Sequence, residues 1–501
     1  MTFSLWNIAA GSPFLDALAA RWLRLHGQDA LAEGLILLPT RRAARGLSEA
    51  FLRATDGRPL ILPRIAAIGA PDEAPLALGA GALALPPAMP EAERLATLSR
   101  LIIALEEASG TARPGLDATW RLARELASLM DEAARAEIAL SAALAASVPE
   151  ELAAHWQKTL TFLAIATDQW PRIMEEFGLI DAVGRQVQLL HAQAEDWAGI
   201  PPSHPVWIAG LTASRPSLAH IARVVAQLPQ GAVIFQGLDQ AMPEEVWRLL
   251  TPGHPQAGMQ RLLAGIGARR EEVQPFPAEP VPHGREALLA RALLPAEALS
   301  HWREPATLDI AGLYRLSAAD QQQEALAIAT ILRDTLETPA ARAVLITPDR
   351  VLAARVAAEL GRFGIIADDS AGEPLIETPG ATLLRLAARA VADRLAPVSL
   401  LALLKHPMTA VGLAPASCRA AARALERHCL RGPRPSAGLQ GLRQAVAMAR
   451  EEPPASVPDL LDRLEAALLP LLRVADGTIL QSPATLFDAL VETAEALAAT
   501  A

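Results

Sequence analysis

The sequence is short of several things that would settle a function at once. Its two cysteines, Cys418 and Cys429, are too few and too close for a disulfide framework, no CxxC pair occurs, and the ten histidines are scattered. A zinc site is therefore not expected, and the cysteine usage fits a reducing cytosol. Lysine occurs only at Lys158 and Lys405, against 43 arginines, and aromatic residues make up 4%. With a net charge of −10, the chain is not built to coat nucleic acid non-specifically. Any contact with DNA has to come from local arginine clusters. The start MTFSLWNIAAG has neither a basic segment nor a long apolar run, so no signal peptide is expected. Nor is there a run of about 18 uninterrupted apolar residues to span a membrane. No GxSxG, HExxH or Ser-His-Asp order is present. These absences describe a soluble, cytoplasmic protein.

What is present is alanine and leucine in quantity, within 501 residues that are 51% hydrophobic. That length exceeds one core and predicts three or four sub-structures; the composition favours helix. Short, almost continuous apolar runs stand out at 35–40 (LILLPT), 206–212 (VWIAGLT), 231–237 (GAVIFQG), 310–317 (IAGLYRLS) and 342–349 (RAVLITPD). Runs of this kind suit parallel strands covered on both faces. Helical patterns follow the first, second and last, which is the grammar of βαβ units. Between 90 and 200 the pattern is helical, with Leu122, Leu126, Leu129 and Met130 placed on one helix face. Proline- and glycine-rich breaks at 75–90, 199–205 and 275–284 mark linkers.

The order of elements predicts an α/β, helix-dominated chain of two RecA-like, P-loop-type parallel-sheet domains with large helical insertions, as in superfamily 1 helicases. The first domain takes 1–90 and 201–300, interrupted by a helical insertion at 91–200. The second begins with 301–395, and a second insertion follows at 396–501. The chain stops inside an amphipathic pattern, and a fragment of a longer protein is expected.

Four stretches carry the functional reading. In IAAGSPFLDAL (8–18), Gly11 and Ser12 stand where a phosphate-binding loop would begin, but proline and phenylalanine replace its lysine and hydroxyl. The nearest lysine is Lys158. In LILLPTRRAARGLSEAFLR (35–53), Thr40 can cap a helix whose exposed amides, with Arg41, Arg42 and Arg45, make an anion site; the other reading is a solvated helix face. At 206–210 the strand ends in Ala209-Gly210, where an ATPase would hold magnesium on an acidic pair. Asp239 and the pair Asp368-Asp369 are expected as turn residues. Trp120, Trp156, Trp170 and Trp197 are expected in cores rather than against bases. Hydrolysis of ATP by this chain is thus not expected.

The stretches EELAAHWQKTLTFLAIATDQWPRIMEEFGLIDAVGRQVQLL, GHPQAGMQRLLAGIG and LLALLKHPMTAVGL resemble the AddB family in its alphaproteobacterial form, as do NIAAGSPFLDALAARWL, LPRIAAIG and DSAGEPLIETP. The likeness runs in order through essentially the whole chain. It implies the N-terminal, helicase-like half of one subunit of the AddAB helicase–nuclease, which processes DNA double-strand breaks. The partners it implies are DNA, single-stranded or at a duplex end, and the ATP-hydrolysing AddA subunit. Within the pattern, Thr40, Arg41, Arg42 and Arg45 match a strand-binding loop, and Lys405 and His406 match the start of the second insertion. The resemblance also implies a later nuclease with magnesium and a four-cysteine iron–sulphur cluster, to which neither Cys418 nor Cys429 can be assigned; no cofactor is expected within these residues. Two alternatives remain: an active superfamily 1 helicase, or a scaffold subunit that does not touch DNA.

Overall fold

A computed structural model describes residues 3–26, 33–68, 84–110, 115–147, 153–212, 215–277, 285–305, 308, 310–475 and 482–501. Side chains at 144–158 are outside the description, which leaves Trp156 and Lys158 aside. The chain divides into two compact units, Met1–Leu316 and Ser317–Ala501, so the boundary falls beyond the one expected near residue 300.

The first unit is built on six parallel strands: β1 (Leu5–Ile8), β2 (Leu35–Leu38), β3 (Arg64–Ala67), β4 (Val206–Ala209), β5 (Gly231–Gln236) and β6 (Gln274–Pro275). Their order is β3-β2-β4-β5-β1-β6. The continuous apolar runs are the central strands, and every residue of β2 and β4 is buried. Their alternation sorts the two faces. Ile36 and Leu38 pack with Ile8, Trp207 and Ile234 under α1 (Phe14–His26) and α2 (Arg41–Ala54). Leu35 and Leu37 pack with Val206, Ile208 and Phe235 on the opposite side.

Between β3 and β4 lie α3 (Glu91–Ala108), α4 (Leu116–Ala136), α5 (Leu140–Ser147), α6 (Ala153–Ala164), α7 (Trp170–Phe177) and α8 (Ala182–Gly199). Most of this insertion has its own core around Leu98, Ile102, Leu126 and Trp170. A short parallel bridge, Ala88 with Ile180, closes its base. The buried face of α4 is Thr119, Ala123, Leu126 and Ala127. Of the expected face, Leu126 is buried and Met130 packs on the same core, whereas Leu122 and Leu129 are exposed, and Ala123 and Ala127 stand on the buried side in their place. Trp170 and Trp197 are buried as expected, whereas Trp120 is 40% exposed.

After β4 come α9 (Pro216–Gln227), α10 (Glu244–Arg248), α11 (Ala257–Ile266) and α12 (Arg285–Ala292). α8, α9 and α11 supply the helical layer over the Leu35–Leu37 face.

The second unit holds α13 (Gln321–Leu336), α14 (Arg350–Gly361), α15 (Pro379–Ala392), α16 (Pro397–Leu404), α17 (Pro415–Leu425), α18 (Gly438–Ala447), α19 (Ser456–Val474) and α20 (Pro483–Ala498). Among its described residues no strand forms, so 342–349 differs from expectation, as does 310–317, which lies almost wholly in the first unit. The reason is pairing. Leu345 and Ile365 pack on α13 and α14, but Val344 and Ile346 are 78% and 91% exposed, and among the described residues no neighbouring segment is hydrogen-bonded to their backbone. Apolar character makes a strand only when an adjacent strand takes its amides. The larger core of this unit is all helical, centred on Leu400, Leu403, Leu425, Leu461 and Leu464.

Candidate functional site

The carboxyl edge of the sheet collects the predicted residues of the first unit. β1 leaves through α1 on one face and β5 leaves toward α11 on the other. Connections that part between neighbouring strands open the crevice in which parallel sheets usually bind ligands. Gly11 and Ser12 stand in that place, three and four residues after Ile8 ends β1.

The crevice is filled. The Ser12 N–H donates to Ala9 O at 3.0 Å, closing a tight turn in place of an open cradle. The Gly11 N–H donates to Glu286 Oε1 at 3.1 Å, so a carboxylate from α12 takes an amide that a phosphate would need. Phe14, at the first turn of α1, is buried. Its ring lies against Gly210, which follows β4 with φ +75°: a Cβ on Gly210 would fall 3.2 Å from Phe14 Cε1 and 3.7 Å from Pro39 Cδ. On the other side, a Cβ on Gly237 would come within 3.1 Å of the Ala10 Cβ. Asn7 fixes this closure, donating through Nδ2 to Leu238 O at 2.9 Å and accepting from the Leu238 N–H at 3.0 Å. Asp239, the first carboxylate after β5, accepts from the N–H groups of Ala241 and Met242. It is a turn residue, as expected.

Two strands away in the sheet, Thr40 caps α2, its Oγ1 accepting from the Ala43 N–H at 3.1 Å. Arg41, Arg42 and Arg45 lie within the first five residues of that helix, Arg41 and Arg45 among its more open positions, and its first turn carries no acid. Cations at the positive end of a helix are electrostatically unfavourable, and an anion placed there is favoured by both the dipole and the guanidinium groups.

In the second unit the expected pair splits. Lys405, at the C-cap of α16, is half exposed and its Nζ pairs with Glu426 Oε2 at 2.7 Å. His406 is buried, with Nδ1 accepting from the Met408 N–H at 3.4 Å. Burial holds its pKa below the ordinary histidine value. The imidazole is thus packed inside and Lys405 is the residue that meets solvent. Beside Lys405 lie Arg419, Arg423, Arg427 and Arg431. No motif marks these arginines, although their spacing of four is legible in the sequence. Asp369 is taken by Arg350, at 3.0 and 2.6 Å.

The cysteines do not fit a cluster. Four thiolates are required; the chain has two, and burial raises the pKa of both Cys418 and Cys429. Among the described residues no group of three or more His, Cys, Asp or Glu is placed to hold a metal ion, and no helix is long and apolar enough to cross a membrane. No protein-family model matches the chain, and no curated protein is significantly similar to it.

Proposed function

We propose that the chain is the helicase-like, ATPase-inactive half of an AddB-type subunit, which holds DNA while a partner of the AddA type hydrolyses ATP. A RecA-like sheet of the superfamily 1 kind, formed by the first unit, is part of this reading. The observation that carries it is the filled crevice. A loop stands at the ligand position of a parallel sheet, yet Phe14 occupies its floor and Glu286 takes the Gly11 amide. No lysine precedes residue 158, and β4 ends in Ala209-Gly210. Phosphates would find neither the cation that neutralises them nor a carboxylate to hold magnesium.

The same sheet edge supplies a use that does not need nucleotide. Thr40, Arg41, Arg42 and Arg45 gather cations at a helix N-terminus, suited to phosphates of a DNA strand. In an acidic chain such local cations bind DNA along a narrow path rather than over a broad face.

The test is fluorescence anisotropy with a labelled single-stranded oligonucleotide. Replacing Arg41, Arg42 and Arg45 together by alanine is expected to weaken binding about tenfold. The salt dependence should become shallower by about 0.7 for each phosphate left without its arginine. Unchanged affinity and slope would overturn the assignment of this edge to DNA.

A further inference from the structure

The second unit carries a concentration of positive charge that the sheet edge does not explain. Lys405, Arg419, Arg423, Arg427 and Arg431 line a cleft of about 770 Å³ together with one carboxylate, Glu426. Five cations around one anion is unusual in a chain whose net charge is −10.

The arrangement of these arginines differs from that on several other helices. Arg135 pairs with Glu132, Arg248 with Glu244, Arg333 with Glu337, Arg389 with Asp393 and Arg463 with Asp459, each an acid three or four residues away. Along α17 and the turn that ends it, this pattern breaks. Arg419, Arg423 and Arg427 are spaced by four, and the residues between them are alanines, Leu425 and Glu426. Glu426 is turned to Lys405 and Arg431 instead. Arg423 Nε reaches the backbone oxygen of Arg419, at 3.2 Å. Like charges at this spacing repel and destabilise a helix. Successive members are about 6 Å apart along the axis, a ladder of point charges on one face.

The opposite face is fixed. Cys418, Ala421, Ala422 and Leu425 are buried in the core of the unit, so the ladder stands on a rigid support. At its end the helix widens into a π turn, Glu426–Leu430, with the Arg431 N–H donating to Glu426 O at 3.1 Å. Such turns are uncommon and concentrate at functional positions. This one returns Arg431 toward Glu426, whose Oε1 meets Arg431 Nη2 at 3.1 Å while its Oε2 holds Lys405. The single carboxylate therefore orients two cations at the cleft, and three further guanidinium groups stand beside them.

We infer that this cleft binds the phosphodiester backbone of a nucleic-acid strand, with Arg419, Arg423 and Arg427 meeting phosphates in succession and Lys405 and Arg431 closing one side. Guanidinium groups engage phosphate oxygens bidentately, and regular spacing selects a polymer of anions over a single one. The lining is cationic rather than aromatic, so it grips the backbone and binding is independent of sequence. The identity of the polymer rests on the reading of the chain as one that holds DNA; the anion site itself rests on the ladder.

The experiment uses the full chain and a fluorescein-labelled oligothymidine, with Arg419, Arg423 and Arg427 replaced together by alanine. Alanine is the best helix former, so α17 is retained, and circular dichroism verifies it. Affinity is expected to fall about tenfold or more, with a salt slope shallower by about 0.7 per phosphate released. A second variant, Glu426→Gln, removes the one carboxylate of the cleft and is expected to bind more tightly. If the α2 variant loses binding while both cleft variants behave as wild type, the inference fails and the DNA reading stands. If the wild-type chain binds no oligonucleotide, both fail. Binding to phosphatidylserine vesicles that depends on the ladder, without oligonucleotide binding, would overturn the inference in favour of a membrane surface.

Discussion

The Phe14 ring rests against the backbone of Gly210, so closely that a Cβ on Gly210 would lie 3.2 Å from Cε1. Gly210 also has φ +75°, a conformation that costs other residues roughly 1–2 kcal/mol. Gly210→Ala is therefore expected to destabilise the first unit by about 2 kcal/mol, strain and crowding together. All nine tryptophans precede residue 317, so urea unfolding followed by tryptophan fluorescence reports on this unit alone. A midpoint identical to wild type would contradict the packing described.

The carboxylate of Glu286 on the Gly11 amide suggests a simple way to reopen the loop. Glu286→Ala is nevertheless expected to show no magnesium-dependent binding of an ATP analogue by calorimetry, as is the wild-type chain. Freeing one amide supplies neither a lysine nor an acidic pair, and the Phe14 ring stays in place. Binding in the micromolar range by either protein would favour the active-helicase alternative.

Inside the helical insertion, Arg94 is almost wholly buried and forms ion pairs at 2.9 Å with both Asp131 and Asp181. Asp181 Oδ2 also accepts from the Trp170 indole N–H at 2.9 Å. Removing the cation leaves two part-buried carboxylates without the charge that lies between them. Arg94→Met is expected to cost about 3 kcal/mol, read as a lower urea midpoint together with a changed Trp170 emission.

His406 gives the second unit a pH dependence with a definite sign. Burial lowers its pKa from 6.5, so below that pH the unfolded chain binds a proton that the folded chain refuses. Its contribution is undiminished above about 6.5 and is lost progressively as the pH falls below it. Hydrogen exchange of the α16 amides, compared at matched intrinsic rates, is expected to show opening made easier below about pH 6. The effect should be absent in His406→Gln.

The central strands β2, β4 and β5 were legible because burial on both faces leaves an unbroken apolar run. β3 and β6 were not. Arg64–Ala67 begins with an exposed arginine, and Gln274–Pro275 is a two-residue edge, so neither has the run. The segments at 310–317 and 342–349 failed in the other direction: their composition is that of strands, but pairing is a tertiary property that composition does not encode. At the candidate site, the missing lysine and acids were visible as letters. The occupation of the crevice by Phe14 and Glu286 was not, since Glu286 lies 275 residues from Gly11. Arg419, Arg423 and Arg427 were readable as a spacing. What distinguishes them is where the nearby carboxylate turns, and that required the positions of their neighbours.

The place of β1 in the sheet sets the order in which the chain can mature during synthesis. Asn7 is joined to Leu238, 231 residues later, and β1 pairs with β5 and β6. β1 must therefore wait, without either of its neighbouring strands, until most of the first unit has been made. The α3–α7 insertion, with its own core and a base closed by Ala88 and Ile180, can fold during that interval. Long-range parallel pairing is slow for this reason. Until β5 has been made, the apolar side chains Leu5, Trp6 and Ile8 of β1 have no neighbouring strand to share their cover.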